Sequence, residues 1–283
     1  MKKRQRLEDL NVLNDFMLNA IANDPDVGEP FFREVLSILL EREIGEITVR
    51  AQSIIPGDTP ELRGIQLDVE IQERDDSPAN CRLYNMEAQT YSGENLQKRS
   101  RFYQAKKDSK LLKSGEKNWD KLPDLYMIMI TTFDPFGKGS VIYTFENTCK
   151  EYPKLENKDG LKYIYFNTTG TKGGTESIIQ LLSYLNYSKI ENVTSEKISH
   201  IHNYVEMVRQ SAEVRNRYMT IGEMLDASKE EGRIEGRIEG RIQGRSEGAL
   251  DICIQLIKKG ILTLEQAATQ LDMTEEELKS RMS

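Results

Sequence analysis

Two acidic residues and a glutamine stand in segments that are predicted to be neighbouring β-strands. Asp68 lies in residues 65–72, where aliphatic and polar residues alternate strictly. Glu87 and Gln89 lie two positions apart in the β-rich residues 82–89. Adjacent strands lie about 4.8 Å apart, so Asp68 and Glu87 can converge on one hard cation. Two carboxylates suit magnesium, which would lower the pKa of a bound water and neutralise charge developing on a scissile phosphate.

The same alternation is also typical of the solvent-facing side of a half-buried sheet. It predicts that the four aliphatic residues of 65–72 face one side of the strand and the four polar residues the other. Glu70, with Gln66 and Gln72, is expected to lie on the solvent face. Residue types alone therefore leave two interpretations of Asp68 and Glu87 open, a metal site and a solvated sheet face.

The surrounding segments must hold these strands in a sheet. A change between helical and strand periodicity along the chain predicts an α/β fold, with a mixed sheet flanked by helices. Helices are predicted at residues 11–23, 30–43, 94–114 and 176–187, and strands at 65–72, 82–89, 125–131, 141–145 and 162–167, with a turn at 75–78.

Composition limits the class of protein. The 283 residues suffice for one large domain with an appendage, and no run of eighteen apolar residues predicts a membrane span. Three scattered cysteines support neither a disulfide framework nor a zinc cluster, so a cytoplasmic protein is predicted. The net charge of −7 argues against a protein whose whole surface binds nucleic acid. Residues 98–121, however, hold nine basic and three acidic residues, which predicts either a phosphate-binding strip or a solvated helix face.

The chain beyond residue 195 is predicted to be helical and contains a four-residue repeat. Glu-Gly-Arg-Ile occurs three times over residues 231–242. Each glycine costs about 1 kcal/mol relative to alanine in a helix, and like charges four residues apart repel. The repeat therefore predicts either a flexible tether or a helix whose isoleucine row binds another copy of the chain. Three short helices are predicted after it, at residues 249–259, 264–271 and 274–282.

An acid in one strand, Glu87-Ala88-Gln89 in the next and a basic helix after them resemble the PD-(D/E)XK nuclease superfamily. More narrowly, the chain resembles the bacterial PD-(D/E)XK nuclease family transposases, which are related to the recombination-promoting nucleases. The resemblance runs from about Asn14 into the repeat. The motifs that carry it are Arg-Ser-Arg-Phe-Tyr-Gln at 99–104, Phe-Asp-Pro-Phe-Gly at 133–137, Tyr-Thr-Phe at 143–145 and Asn-Thr-Thr-Gly at 167–170.

The resemblance implies a catalytic site of four residues. Asp68 and Glu87 match the family's metal ligands, with Mg²⁺ as the expected ion and Mn²⁺ as its substitute. Gln89 matches the position where the superfamily usually has lysine and this subfamily commonly has glutamine, which brings no positive charge. Asp15 resembles the acidic position of the family's first helix, although a surface aspartate is an equal alternative.

The resemblance also implies that the helix after the second strand lies over the site. Arg99 and Tyr103 are four residues apart and share one helix face. Arg99 is expected to clamp a phosphate, and Tyr103 to position a water or the DNA backbone, with core packing as the alternative role of Tyr103. Further contacts to DNA are expected from Arg101, Lys106 and Lys107.

The function implied is that of a bacterial, metal-dependent DNA endonuclease associated with transposition or recombination. The expected parts are a nuclease-like domain over residues 1–190, a helical extension over 191–248 and a small helical tail over 249–283. Two alternatives stay open: a non-catalytic DNA-binding or oligomeric assembly protein that retains the nuclease fold, and a helical scaffold that acts through its tail. The acidic net charge and the missing lysine favour the first of these alternatives.

Overall fold

The computed structural model describes residues 5–56, 63–74, 81–93, 95–112 and 114–282. The predicted turn at 75–78, with Glu94 and Lys113, lies outside the described residues. Residue contacts divide the chain into two units, Met1–Tyr218 and Met219–Ser283. Among the described helices, none has the length and apolar character needed to cross a membrane.

The first unit is built on a mixed sheet, which confirms the predicted α/β class. In the described part of the chain the sheet has six strands, in the order β1-β2-β3-β4-β6-β5. The strands β1 to β3 are antiparallel, β3, β4 and β6 are parallel, and β5 runs antiparallel to β6. The strands are β1 (Ile47–Ile55), β2 (Ile65–Glu73), β3 (Arg82–Gln89), β4 (Asp124–Thr131), β5 (Ile142–Phe145) and β6 (Leu161–Asn167).

Helices cover both faces of this sheet. The main core packs α1, α2, α4 and α5 on one face, while α3 covers the other face through Tyr103 and Leu96. β4 is buried on both sides, since Ile128 belongs to the main core and Met127 to the cluster under α3. The helices of the first unit are α1 (Asp15–Asn23), α2 (Gly28–Leu40), α3 (Leu96–Leu111), α4 (Glu176–Asn186), α5 (Glu196–Gln210) and the start of α6 (Ala212–Lys258).

The apolar side chains of β2 change from one side of the sheet to the other at Asp68. Val69 and Ile71 belong to the main core, but Ile65 and Leu67 pack in the cluster under α3. The prediction that all four aliphatic residues share one face is therefore wrong. The neighbouring strand is irregular at the same level, because Gln52 has a left-handed φ of 49° and lies between Ala51 and Ser53, which pair with Val69 and Leu67. Asp68 thus lies at a bend, next to the edge of both clusters.

A buried ionic network holds the C-terminal end of β2, at Glu73. Glu73 is 3% exposed, and its carboxylate accepts hydrogen bonds from the Arg42 guanidinium at 3.0 Å, from the Gly45 backbone N–H at 2.9 Å and from the Tyr84 hydroxyl. Although burial alone would raise the pKa of Glu73, these donors lower it from 4.5 to about 2. The carboxylate is therefore stabilised in its charged form in the folded protein.

Replacing Glu73 by glutamine is expected to lower the free energy of unfolding at pH 7 by about 3 kcal/mol, because the Arg42 guanidinium loses its buried partner. The stabilisation by Glu73 is fully present above pH 4.5 and is lost as the pH falls towards 2, since the folded-state pKa is the lower one. Urea denaturation at pH 7 and pH 3 measures this. The difference between wild type and Glu73→Gln should shrink at pH 3, and an equal difference at both values would contradict the assignment.

The second unit contains the remainder of α6, together with α7 (Leu264–Gln270) and α8 (Glu275–Met282). Its small core is formed by Cys253, Ala267, Ala268 and Leu278. The repeat is part of one continuous helix, and the separate helix predicted at 249–259 is instead the end of α6. Residues 223–249 are exposed along their length.

Candidate active site

The two predicted metal ligands meet between β2 and β3. The backbone N–H of Asp68 donates to Oε1 of Glu87 at 3.1 Å, and the backbone N–H of Ala88 donates to Oδ2 of Asp68 at 3.1 Å. Each carboxylate therefore accepts a hydrogen bond from the strand of the other. This exchange holds both acids on the side of the sheet that faces α3.

Burial and mutual repulsion perturb both carboxylates. Glu87 is fully buried and Asp68 is half-buried. Burial raises the pKa of Glu87, and the neighbouring Asp68 charge raises it further. Burial also raises the pKa of Asp68, with a smaller contribution from the charge of Asp15. Paired carboxylates with raised pKa values are typical of functional sites, and a cation bound between them would displace a proton and relieve the repulsion.

Arg99 of α3 lies over this pair, the position that the family resemblance implies for it. Its Nη2 donates to Oε2 of Glu87 at 2.9 Å, and its Nη1 donates to Oε1 of Gln89 at 3.1 Å. The guanidinium also stacks 5.0 Å from the ring of Tyr103. In this structure the positive charge of Arg99 therefore neutralises Glu87, and the buried Gln89 helps to orient it. Both carboxylate oxygens of Glu87 have a protein donor.

Asp15 lies at the first position of α1, where the side chain of Asn14 caps the helix by accepting the N–H of Phe16. Asp15 is exposed, and its charge acts on Asp68 without a direct contact between the two. Within the described ranges, no three histidine, cysteine or acidic side chains come together as a metal cluster. The structure thus brings together two candidate protein ligands, with Asp15 as a more distant acid.

The remaining predicted DNA contacts lie in different environments. Arg101 is exposed and Lys106 is half-buried, whereas Tyr103 packs in the cluster under α3. Lys107 is buried and forms an ion pair with Glu70, so it does not lie on the surface where a DNA contact was expected. The prediction that Glu70 lies on the solvent face is also wrong.

This Glu70–Lys107 pair was not predicted from the sequence, although a signal for it exists. Lys107 lies eight residues after Arg99, which is close to two helical turns, so both side chains point to the same side of α3. Glu70 lies two residues after Asp68 on β2. The sheet and the helix therefore present two acid–base pairs in succession, Glu87 with Arg99 and Glu70 with Lys107.

Comparison with known protein families gives a match over most of the chain. A protein-family model described as PD-(D/E)XK nuclease family transposase matches residues 14–231, which is more than half of the chain. The match contains β2, β3 and α3, and hence Asp68, Glu87, Gln89 and Arg99. No curated protein matches the chain.

Proposed function

The chain belongs to the PD-(D/E)XK nuclease family transposases, and from this membership we propose that it is a magnesium-dependent DNA endonuclease that hydrolyses phosphodiester bonds in transposition or recombination. The single observation that carries this proposal is the convergence of Asp68 and Glu87 through backbone hydrogen bonds of 3.1 Å. A DNA substrate is consistent with action in the bacterial cytoplasm.

The chemistry of the donor set fits magnesium. Magnesium is usually held by one or two carboxylates and keeps other positions for water and substrate phosphate, and Asp68 and Glu87 supply that number. When bound, the ion would lower the pKa of a water and neutralise charge on the phosphate. Mn²⁺ prefers the same oxygen ligands and would substitute for it.

The protein's own groups would hold the substrate. The Arg99 guanidinium presents a planar set of donors that suits two phosphate oxygens, and Gln89 fixes its orientation through a carbonyl oxygen. We propose that the Arg99 guanidinium leaves its ion pair with Glu87 and binds the phosphate when DNA is bound. Gln89 supplies orientation without charge, so the positive charge that the superfamily lysine would bring is left to Arg99 and to the metal.

The test of this function is cleavage of supercoiled plasmid DNA by the full chain. We expect nicked or linear DNA with magnesium or manganese and intact DNA with a chelator. A protein that cuts equally well in the chelator, or that cuts with neither ion, would contradict the proposal. The second outcome would favour the non-catalytic DNA-binding alternative.

We also propose that copies of the chain associate through the repeat in α6. Ile234, Ile238 and Ile242 are 46%, 53% and 65% exposed. Apart from the helix's own nearby backbone, no atom of the described residues lies within 4 Å of a Cβ built on the repeat glycines. Such a glycine-rich helix is marginal alone, and a second copy would cover the isoleucine row while its glutamate and arginine rows pair. Light scattering should give a dimer or larger species for wild type and a monomer for Ile238→Glu. A monomeric wild type would favour the tether interpretation.

A further inference from the structure

A cavity of about 360 Å³ lies on the side of α3 away from Arg99. Aromatic rings from the neighbouring strands line it. Phe145, at the end of β5, is 45% exposed, and its ring meets that of the buried Tyr165 edge-on at 5.8 Å. Phe136 supports Phe145 from behind, with the ring centroids 5.0 Å apart. An exposed aromatic ring is thus held in a fixed orientation beside an open volume.

The other lining groups are cationic or carry amides. Lys98 and Arg101 are exposed, one helical turn apart on α3. Arg101 lines the cavity together with the Tyr163 phenol, whose pKa is raised mainly by burial and lowered in part by the Arg101 charge. The amides of Gln97 and Asn147 complete the lining with hydrogen-bond donors and acceptors. Aromatic faces, amides and cations are together the groups that contact a nucleotide.

The cavity lies level with the candidate active site across the sheet. Glu87 pairs in register with Met129 of β4, and Met129 pairs with Tyr165 of β6. The Tyr165 hydroxyl lies 3.2 Å from Oγ of Ser100 on α3, so its side chain is on the same face of the sheet as Glu87. Two strand spacings separate these positions by about 10 Å. Stacked DNA rises about 3.4 Å per nucleotide in one strand, so about three nucleotides span this distance in a straight line, and a strand that passes over α3 to reach the cavity needs more.

We propose that this cavity binds an unpaired nucleobase of the DNA strand whose backbone reaches the Asp68–Glu87 pair, an inference that rests on the proposed nuclease function. The base stacks on Phe145 and meets the amides of Gln97 and Asn147, while Lys98 and Arg101 bind the flanking phosphates. A base inside an intact duplex must first unpair and unstack, which costs a few kcal/mol. The cavity therefore selects DNA that contains a single-stranded or frayed segment.

The test is a binding measurement without metal, so that it does not depend on cleavage. Fluorescence anisotropy of a dye-labelled thymidine oligomer is recorded in chelator for the full-length wild type, Phe145→Ala and Phe102→Ala. Phe102 is a matched control, because it is an exposed aromatic residue of α3 outside the cavity. Because Phe145→Ala loses the stacking of one base, its affinity for the oligomer should be about tenfold or more below that of wild type. The affinity of Phe102→Ala should equal that of wild type. Equal affinity of Phe145→Ala and wild type would overturn the proposal.

Two further measurements keep the test independent of folding and of catalysis. Arg101→Glu reverses an exposed charge and should also weaken binding of the oligomer. An unchanged affinity would contradict the proposal that the cavity binds DNA. An oligomer that carries 5-iodouracil should crosslink to Phe145 or Tyr163, and crosslinks elsewhere alone would overturn the assignment. If binding depends on Phe145 but no plasmid is cut, the cavity stands and the nuclease function fails. If plasmid is cut but neither variant changes binding, only the cavity fails.

Discussion

Replacing Asp68 by asparagine is expected to abolish magnesium-dependent cleavage of plasmid DNA, with a loss on the order of a thousandfold, because a metal ligand contributes several kcal/mol to the reaction. Asparagine has nearly the shape of aspartate, and its carbonyl oxygen can still accept the Ala88 N–H that Oδ2 of Asp68 accepts. The fold should therefore survive. The change removes a negative charge from the pair and little else.

Two controls separate this effect from damage to the protein. The variant should melt at the same temperature as wild type or higher, because the charges of Asp68 and Glu87 repel each other. Asp120→Asn, at an exposed aspartate away from the site, should cut DNA as wild type does. Cleavage that persists in Asp68→Asn would show that Asp68 does not carry the reaction.

Replacing Arg99 by leucine is expected to lower the free energy of unfolding in chelator by about 3 kcal/mol above pH 8, where Glu87 is charged, because it leaves the buried Glu87 carboxylate without its cation. Leucine keeps much of the apolar stem that packs near Tyr103, so the loss reports mainly on charge. Urea denaturation measures it. Manganese should then stabilise the variant more than it stabilises wild type, because the ion no longer competes with Arg99 for Oε2 of Glu87.

Arg99→Lys is the matched control for this prediction. Lysine keeps the charge but cannot donate to Glu87 and Gln89 through one planar group, so an intermediate stability is expected. If Arg99→Leu were as stable as wild type in chelator, the buried carboxylate would not depend on the ion pair. Arg99 would then not be the group that stabilises the charge of Glu87.

The segments that form the site could be predicted from the sequence because their signals are local. Alternation marks β2 and β3, and the spacing of two between Glu87 and Gln89 puts both side chains on one face. The four-residue spacing of Arg99 and Tyr103 likewise puts both on one face of α3. These features depend only on strand and helix periodicity, so one sequence suffices to infer them.

Features that depend on contacts distant in sequence could not be predicted. β1 was missed because the left-handed Gln52 interrupts its alternation. The Glu70–Lys107 pair joins residues 37 positions apart, and the spacings of Glu70 from Asp68 and of Lys107 from Arg99 indicate the pair only once α3 is known to lie over β2. The ion pair between Arg99 and Glu87 could not be predicted either, because it forms only in the folded site, where the buried carboxylate requires a nearby donor. For the repeat, helix propensity left both a tether and a helix open, and the structure has a continuous helix.

The central claim is that Asp68 and Glu87 together bind one divalent ion. The most direct measurement is calorimetric titration of manganese into the metal-free full chain, for wild type, Asp68→Asn and Glu87→Gln. We expect one ion per chain in wild type and no detectable binding in either variant. Manganese binding of equal stoichiometry and affinity in all three proteins, or in none of them, would contradict the claim.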